Sequence, residues 1–312
     1  MAEGPRSAPV QKIASEESPP EADGAVAELL RSGWSLLVKA EAAPAAEAEF
    51  VRAGKEPGAP PEWRMGVAVC QWLSNERAEA VSSCREYMDG LRSIGIGGLT
   101  GRSSLTPVAR RACREVCGQT LRQNPSLLGR TDPGIMKELW APAVRNWQGE
   151  FTAARVVARI EEILPKASSG KNLYAGVGLW ACSLGLDDEA GLIFSEGLRQ
   201  FPDSTTVRYV RGLWLWNDLG RLDDAIADFE AIHADSLRRS LNRPERLGLY
   251  PVSLWAAGRK EEAVRCLETL AEANPGLTDR NLPAESIKSG WGGWPPAVAI
   301  AFEDLLKALP AK

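Results

Sequence analysis

The sequence has only one histidine, no long apolar run and no excess of basic residues. Its 312 residues include a single histidine, His233. A histidine with no second His or Cys-His pair in register is more typical of a surface or capping residue than of a catalytic base. No run of about 18 apolar residues occurs, which argues against a membrane-spanning helix. The net charge of -4 argues against nucleic acid as the main partner, because phosphate binding needs a basic surface.

Targeting signals and catalytic motifs are also absent. The N-terminus lacks the basic start and apolar core of a secretory signal, so the cytoplasm is the expected location unless the sequence is already a processed form. No serine lies in a G-x-S-x-G motif. The glycine-rich stretch at 95–103 lacks the G-x4-G-K-[ST] pattern of a phosphate loop, and it is predicted to be a flexible loop.

The six cysteines do not predict a metal site or a disulfide framework. A chain of this length does not need disulfides for stability. Cys113 and Cys117 are four residues apart and therefore share a helical face, but no histidine or second cysteine pair completes a metal site. We predict that they are small buried residues, and that the protein holds neither a metal nor a cofactor.

A six-residue sequence motif, which starts with Gly and ends with Ala, occurs three times in the C-terminal half, as Gly185–Ala190, Gly220–Ala225 and Gly258–Ala263. In each copy, Gly is suited to the left-handed conformation that ends a helix. The acidic residues that follow suit the positive end of the next helix, and the alanine allows two helices to cross closely. A period near 35 residues is typical of a helical repeat array. The motif therefore predicts an all-α fold in which each copy is the corner of a helical hairpin.

The residues around these corners resemble the tetratricopeptide repeat family over residues 171–276. In the clearest unit, the family's aromatic, glycine, alanine, aromatic and proline positions are filled by Tyr174, Gly178, Ala190, Phe194 and Pro202. The resemblance implies a right-handed superhelical solenoid of antiparallel helix pairs. The third unit departs from the family at Pro251, which puts its first helix in doubt because proline removes a helical hydrogen bond.

Three regions are predicted along the chain. Residues 1–23 are rich in Pro, Ser and Glu, and they are predicted to form a disordered tail. Residues 24–165 match the repeat family only in register and in small-residue anchors such as Ala80, Cys113 and Ala154. Within them, Thr106 and Pro107 predict a helix start. Residues 166–312 contain the clear repeats, a Trp-rich loop and a C-terminal capping helix predicted to run from Pro296 to Leu309.

The family resemblance implies a concave groove, lined by the first helix of each pair, that binds peptides. The residues predicted to form it are Leu139, Ala143, Leu179, Arg208, Val210, Arg211, Trp214, Asn217 and Trp255. This face is apolar, and exposed apolar patches usually mark binding sites. Family members that bind the acidic C-terminus of a chaperone carry Lys, Asn and Arg where this chain has Ala175, Leu179, Val210 and Trp214, so no such site is expected. Alternatively, the Trp-rich loop fills the groove, or the face is core.

These features favour a scaffold or adaptor that binds a partner protein or peptide, without catalytic activity. One alternative is a permanent structural or assembly subunit of a larger complex or homo-oligomer, for which the 11 tryptophans would supply apolar contacts. A second alternative is an enzyme on an α-helical scaffold, because an active site can be assembled from distant residues. The acidic pairs at the corners could act as general acid and base, but their recurrence favours a structural role.

Overall fold

The regular secondary structure of the described residues is helical, apart from one isolated β-bridge. The computed structural model describes residues 24–91, 94, 105–132, 134, 137–145, 147–239, 244–273, 275–278 and 294–309. Within these ranges the only β-type pairing is an isolated bridge between Ile94 and Thr131, and no helix is long and apolar enough to cross a membrane. The predicted N-terminal tail, the glycine-rich stretch and most of the Trp-rich loop lie outside the described residues.

The N-terminal helices pack in chain order. They are α1 (Gly24–Leu36), α2 (Ala43–Lys55), α3 (Glu62–Leu73), α4 (Arg77–Gly90) and α5 (Pro107–Gln123). Helix α2 contacts both α1 and α3, and its buried Phe50 fits against Gly33 and Gly66, where an added Cβ would lie 2.7 and 2.4 Å from the ring. Helix α5 packs on both α3 and α4.

The remaining described helices include three pairs that contact their neighbours. They are α6 (Lys137–Arg145), α7 (Ala153–Ile163), α8 (Gly170–Ser183), α9 (Asp187–Gln200), α10 (Thr205–Asn217), α11 (Leu222–Arg239), α12 (Pro244–Leu247), α13 (Leu249–Ala256), α14 (Lys260–Ala273) and α15 (Pro296–Lys307). The pairs are α8 with α9, α10 with α11, and α13 with α14. Helix α8 also packs on α10, and α15 packs on α13 and α14, so the expected C-terminal helix covers the last pair.

The corners of the three clear repeats have the predicted conformation. Gly185, Gly220 and Gly258 have φ values of 72°, 66° and 80°, which glycine adopts without strain. The alanine five residues after each glycine is fully buried. The interpretation of the repeated motif as a helix–turn–helix corner is therefore confirmed.

The N-terminal half keeps this corner geometry in one place and departs from it in another. Asn75, the one described non-glycine residue with positive φ, lies five residues before the fully buried Ala80 and reproduces the corner. Gly149 also has positive φ, but the predicted packing position Ala154 is exposed. Helix α7 begins four residues after Gly149 instead of two, so Val156 and Ile160 are buried in its place. The predicted register is wrong at this corner.

Pro251 is accommodated by a break in the first helix of its pair. The chain is helical over Pro244–Leu247, turns at Gly248, and is helical again over Leu249–Ala256. Pro251 therefore lies in the first turn of α13, where a backbone N–H has no partner within its own helix. The break removes the cost that the proline would have in one continuous helix.

Alanine substitution at two corner glycines tests the fold. At Gly220 an added Cβ has no atom within 4 Å, so Gly220→Ala should cost only about 1–2 kcal/mol for the left-handed backbone. At Gly185 an added Cβ would lie 2.2 Å from the carbonyl oxygen of Arg114 in α5. Gly185→Ala should therefore lower the free energy of unfolding in urea clearly more than Gly220→Ala. Equal losses would contradict the close approach of α5 to this corner.

Candidate interaction site

Helix α5 presents a row of arginines to the corners of the C-terminal repeats. The helix starts as predicted, with the Thr106 hydroxyl accepting a hydrogen bond from the Ala109 N–H at 3.2 Å and Pro107 in the first turn. Arg110, Arg114 and Arg122 are spaced by four and eight residues, which places them on one helical face. Gly118 occupies the same face. We call these four residues the arginine face of α5.

Arg114 is the buried centre of this face. Its side chain is only 3% exposed and pairs with two carboxylates, Asp187 at the start of α9 and Asp218 just after α10. Arg114 Nε lies 3.3 Å from Asp187 Oδ2, and Nη1 lies 3.2 Å from Asp218 Oδ1. Burial disfavours the guanidinium charge, but Asp218 and Asp187 outweigh burial and raise the pKa of Arg114. Burial raises the pKa of the Asp218 carboxyl, although Arg114 opposes that shift.

The other members of the arginine face extend the contact along the same corners. Arg122 Nε and Nη2 donate to the two carboxylate oxygens of the buried Glu189 at 2.9 and 2.7 Å, and this contact raises the pKa of Arg122. Arg110 donates to the Asn217 side chain at 3.4 Å. Gly118 lets the backbones meet, because an added Cβ would lie 2.3 Å from the Gly185 carbonyl oxygen. The face therefore joins α5 to the α8–α9 and α10–α11 corners.

A cleft of about 430 Å³ opens beside these contacts, between α3, α5 and the two corners. The Arg114 ion pairs form part of its lining, and charges of both signs form its rim. The side chains of Arg111, Asp188 and Arg221 are 82%, 89% and 57% exposed. On the α3 side, the Trp72 indole N–H donates to Glu115 Oε2 at 2.7 Å. The cleft therefore presents a mixed-charge surface.

Trp214 of the predicted groove is buried between α9 and α10. It is 6% exposed, its ring centre lies 5.5 Å from that of Phe194, and its indole N–H donates to Asp187 Oδ1 at 3.0 Å. Val210, one turn earlier, is 2% exposed. The other predicted groove residues are half-buried: Leu139, Ala143, Leu179, Arg208, Arg211, Asn217 and Trp255. A groove role for the set stays a prediction.

The half-buried groove residues do not share one environment. Arg208 and Arg211 both pair with Asp228 of α11, which is fully buried, at 3.2 and 2.6 Å. Asn217 contacts Arg110 of α5. The Lys260 ammonium lies 5.0 Å from the centre of the Trp255 ring. The structure thus brings Trp214 and Asn217 to the corner contacted by α5, while the two arginines face α11.

Sequence reasoning missed the arginine face of α5. The sequence carries one indication of it, because only the first of the three corners has three consecutive acidic residues, Asp187, Asp188 and Glu189. Asp187 and Glu189 are the main partners of Arg114 and Arg122. At the other two corners, Asp224 and Glu262 pair with the nearby Arg221 and Arg259. The corner carboxylates therefore have structural partners in all three repeats.

His233 lies at a helix-to-helix contact. Its ring centre is 5.1 Å from that of Tyr250, its Nδ1 is buried without a hydrogen-bond partner among the described residues, and burial lowers its pKa. Within the same residues, no three His, Cys, Asp or Glu side chains are arranged as a metal site.

Trp214 variants test its burial. Trp214→Ala removes a buried indole and should lower the free energy of unfolding by about 3–5 kcal/mol. Trp214→Phe keeps a ring against Phe194 but loses the hydrogen bond to Asp187 and part of the buried ring volume, so it should cost less than Trp214→Ala, about 1.5–3 kcal/mol. Urea unfolding of both variants measures these values. A loss below about 0.5 kcal/mol for Trp214→Ala is typical of a surface residue and would contradict the burial.

The pH dependence of stability tests the environment of His233. A folded-state pKa below the unfolded value, about 6.5, means that the unfolded chain binds the proton more tightly. Stability should therefore be fully present above that value and fall as pH drops from 7 to 5.5. His233→Phe should flatten this part of the profile in thermal melts, because the chain has no other histidine. An unchanged slope would contradict the burial of the imidazole.

Similarity to known proteins is found among solved structures. No protein-family model and no curated protein matches the chain. Among solved structures, the chain is similar to a tetratricopeptide repeat protein from Parabacteroides merdae ATCC 43184, with 18% sequence identity and a TM-score of 0.31. The match covers 91% of this chain and 100% of the other.

Proposed function

We propose that this protein is a non-catalytic scaffold that binds a partner protein or peptide at the mixed-charge cleft beside the arginine face of α5. The observation that carries the proposal is the exposed, mixed-charge rim of the cleft at the junction of α3, α5 and two repeat corners. In the same proposal, the helix pairs stack as a right-handed solenoid. The contact of α8 with α10 and the repeated left-handed corners support that arrangement.

The rim charges contribute little to the fold. Asp188 contacts Arg122 at 3.3 Å, but Arg122 already has a two-point contact with the buried Glu189. Among the described residues, Arg111 forms an ion pair only with Glu115 on its own helix, and both side chains are well exposed. Exposed pairs of this kind contribute about 0–1 kcal/mol to stability. These side chains can therefore pair with a partner, where rim charges set register and association rate.

The chemistry of the cleft selects a partner segment that carries both an acidic and a basic side chain. A basic group would approach Asp188, and an acidic group would approach Arg111 or Arg221. This differs from the apolar groove predicted from the sequence, because Val210 and Trp214 are withdrawn into the core. Leu179, Asn217 and Trp255 of the predicted groove do not line the cleft, but they remain partly exposed on the first helices of the repeats.

A permanent subunit of a larger assembly is the second candidate. It is favoured by exposed aliphatic side chains near the first and last described helices, where Val38 and Ile300 are each 61% exposed. Light scattering on the purified chain separates the two functions, since a stable monomer favours reversible partner binding.

Neutralising the rim of the cleft tests the scaffold proposal. The tagged protein is used to capture partners, which are identified by mass spectrometry and then quantified for each variant. Asp188→Asn combined with Arg111→Gln should reduce capture of a reproducible partner roughly fivefold, because two charge contacts are lost. The matched control is Glu272→Gln with Arg265→Gln, two exposed charges on α14. Equal capture by the cleft variant and the wild type would overturn the proposal.

A further inference from the structure

A cluster of four sulfur atoms lies where α5 packs on α3 and α4. Cys84 of α4 and Cys117 of α5 are fully buried, with their Sγ atoms 4.0 Å apart. Cys113 lies one turn before Cys117, and its Sγ is 3.8 Å from the Sδ of Met65 in α3. The neighbouring thiols Cys113 and Cys84 raise the pKa of Cys117.

We infer that Cys84 and Cys117 are a modification site, a dithiol pair that a hydroperoxide oxidises to a disulfide joining α4 to α5. The two sulfurs of a disulfide are about 2.0 Å apart. Because α4 and α5 already pack against each other, rotation of the two side chains is the main movement that bond formation requires. The Cys113 thiol contacts both Met65 and Cys117, but Cys113 and Cys117 belong to the same helix, so the pair that bridges two helices is Cys84 with Cys117.

The reaction proceeds in two balanced steps. The thiolate of one cysteine attacks the O–O bond of the hydroperoxide; it becomes a sulfenic acid, and the released alkoxide or hydroxide takes up a proton. The second thiol then attacks the sulfenic sulfur, the S–S bond forms, and water leaves. In total, two thiols lose two electrons and two protons, and the O–O bond is reduced.

Burial sets when this reaction can occur. A fully buried thiol whose pKa is raised is unreactive while the helices stay packed, because the thiolate is the attacking species. Oxidation therefore starts in molecules in which α5 has opened from α4 and is completed when the helices close again. The new bond holds α5, and with it the arginine face, on the N-terminal helices. This inference is independent of the proposed partner binding.

The test uses the full-length protein treated with hydrogen peroxide and digested without reduction. Mass spectrometry should find a peptide pair that joins Cys84 to Cys117, two hydrogens lighter than the sum of the two peptides. The thermal midpoint of the oxidised protein should rise by roughly 5 °C, because the bond closes a loop of the unfolded chain, and dithiothreitol should reverse the rise.

Two variants make the test specific. Cys84→Ala should abolish the cross-link and the rise in midpoint, whereas Cys113→Ala should keep both. The wild-type digest alone distinguishes the possible disulfides, even if a variant fails to fold. A Cys113–Cys117 bond, an intermolecular disulfide, or no disulfide after peroxide treatment would each overturn the inference, as would a Cys84–Cys117 bond that leaves the midpoint unchanged.

Discussion

The described structure depends on one buried cation, the guanidinium of Arg114, which lies between the carboxylates of Asp187 and Asp218. A buried charge is costly unless it is paired, and removing one partner of a buried pair typically costs about 3–5 kcal/mol. Here a single arginine of α5 satisfies carboxylates from two different corners, so it fixes α5 relative to both. The backbone contact of Gly118 with Gly185 requires the same placement. Ion pairing and close packing therefore specify one arrangement of the N-terminal helices on the later repeats.

The local geometry of the repeats could be predicted from the sequence because it is encoded locally. The left-handed glycines, the buried alanines and the Thr106 start of α5 each depend on a few adjacent residues, and the structure confirms them. The register failed at Ala154, because two additional residues before α7 move the buried face to Val156 and Ile160. A glycine in the sequence indicates a turn, but it does not determine the length of the loop that follows.

The candidate site could be predicted less well, because it is made by residues distant in sequence. Arg114 and Asp187 are 73 residues apart, and no periodicity indicates which helix meets which corner. For the same reason the sequence could not show that Trp214 is covered by α9 and bonded to Asp187. An apolar face on a repeat helix has the same pattern whether a ligand or a neighbouring helix covers it. Only the packing separates the buried Trp214 from the partly exposed Leu179.

A double-mutant cycle at Arg114 measures the central interaction most directly. Free energies of unfolding would be determined for Arg114→Met, for Asp187→Asn with Asp218→Asn, and for all three changes together. If the buried pairing holds α5 in place, Arg114→Met alone should cost about 3–5 kcal/mol, and far less once both carboxylates are already neutral. Additive losses, with no coupling between the arginine and the two acids, would contradict the central role of this buried cation.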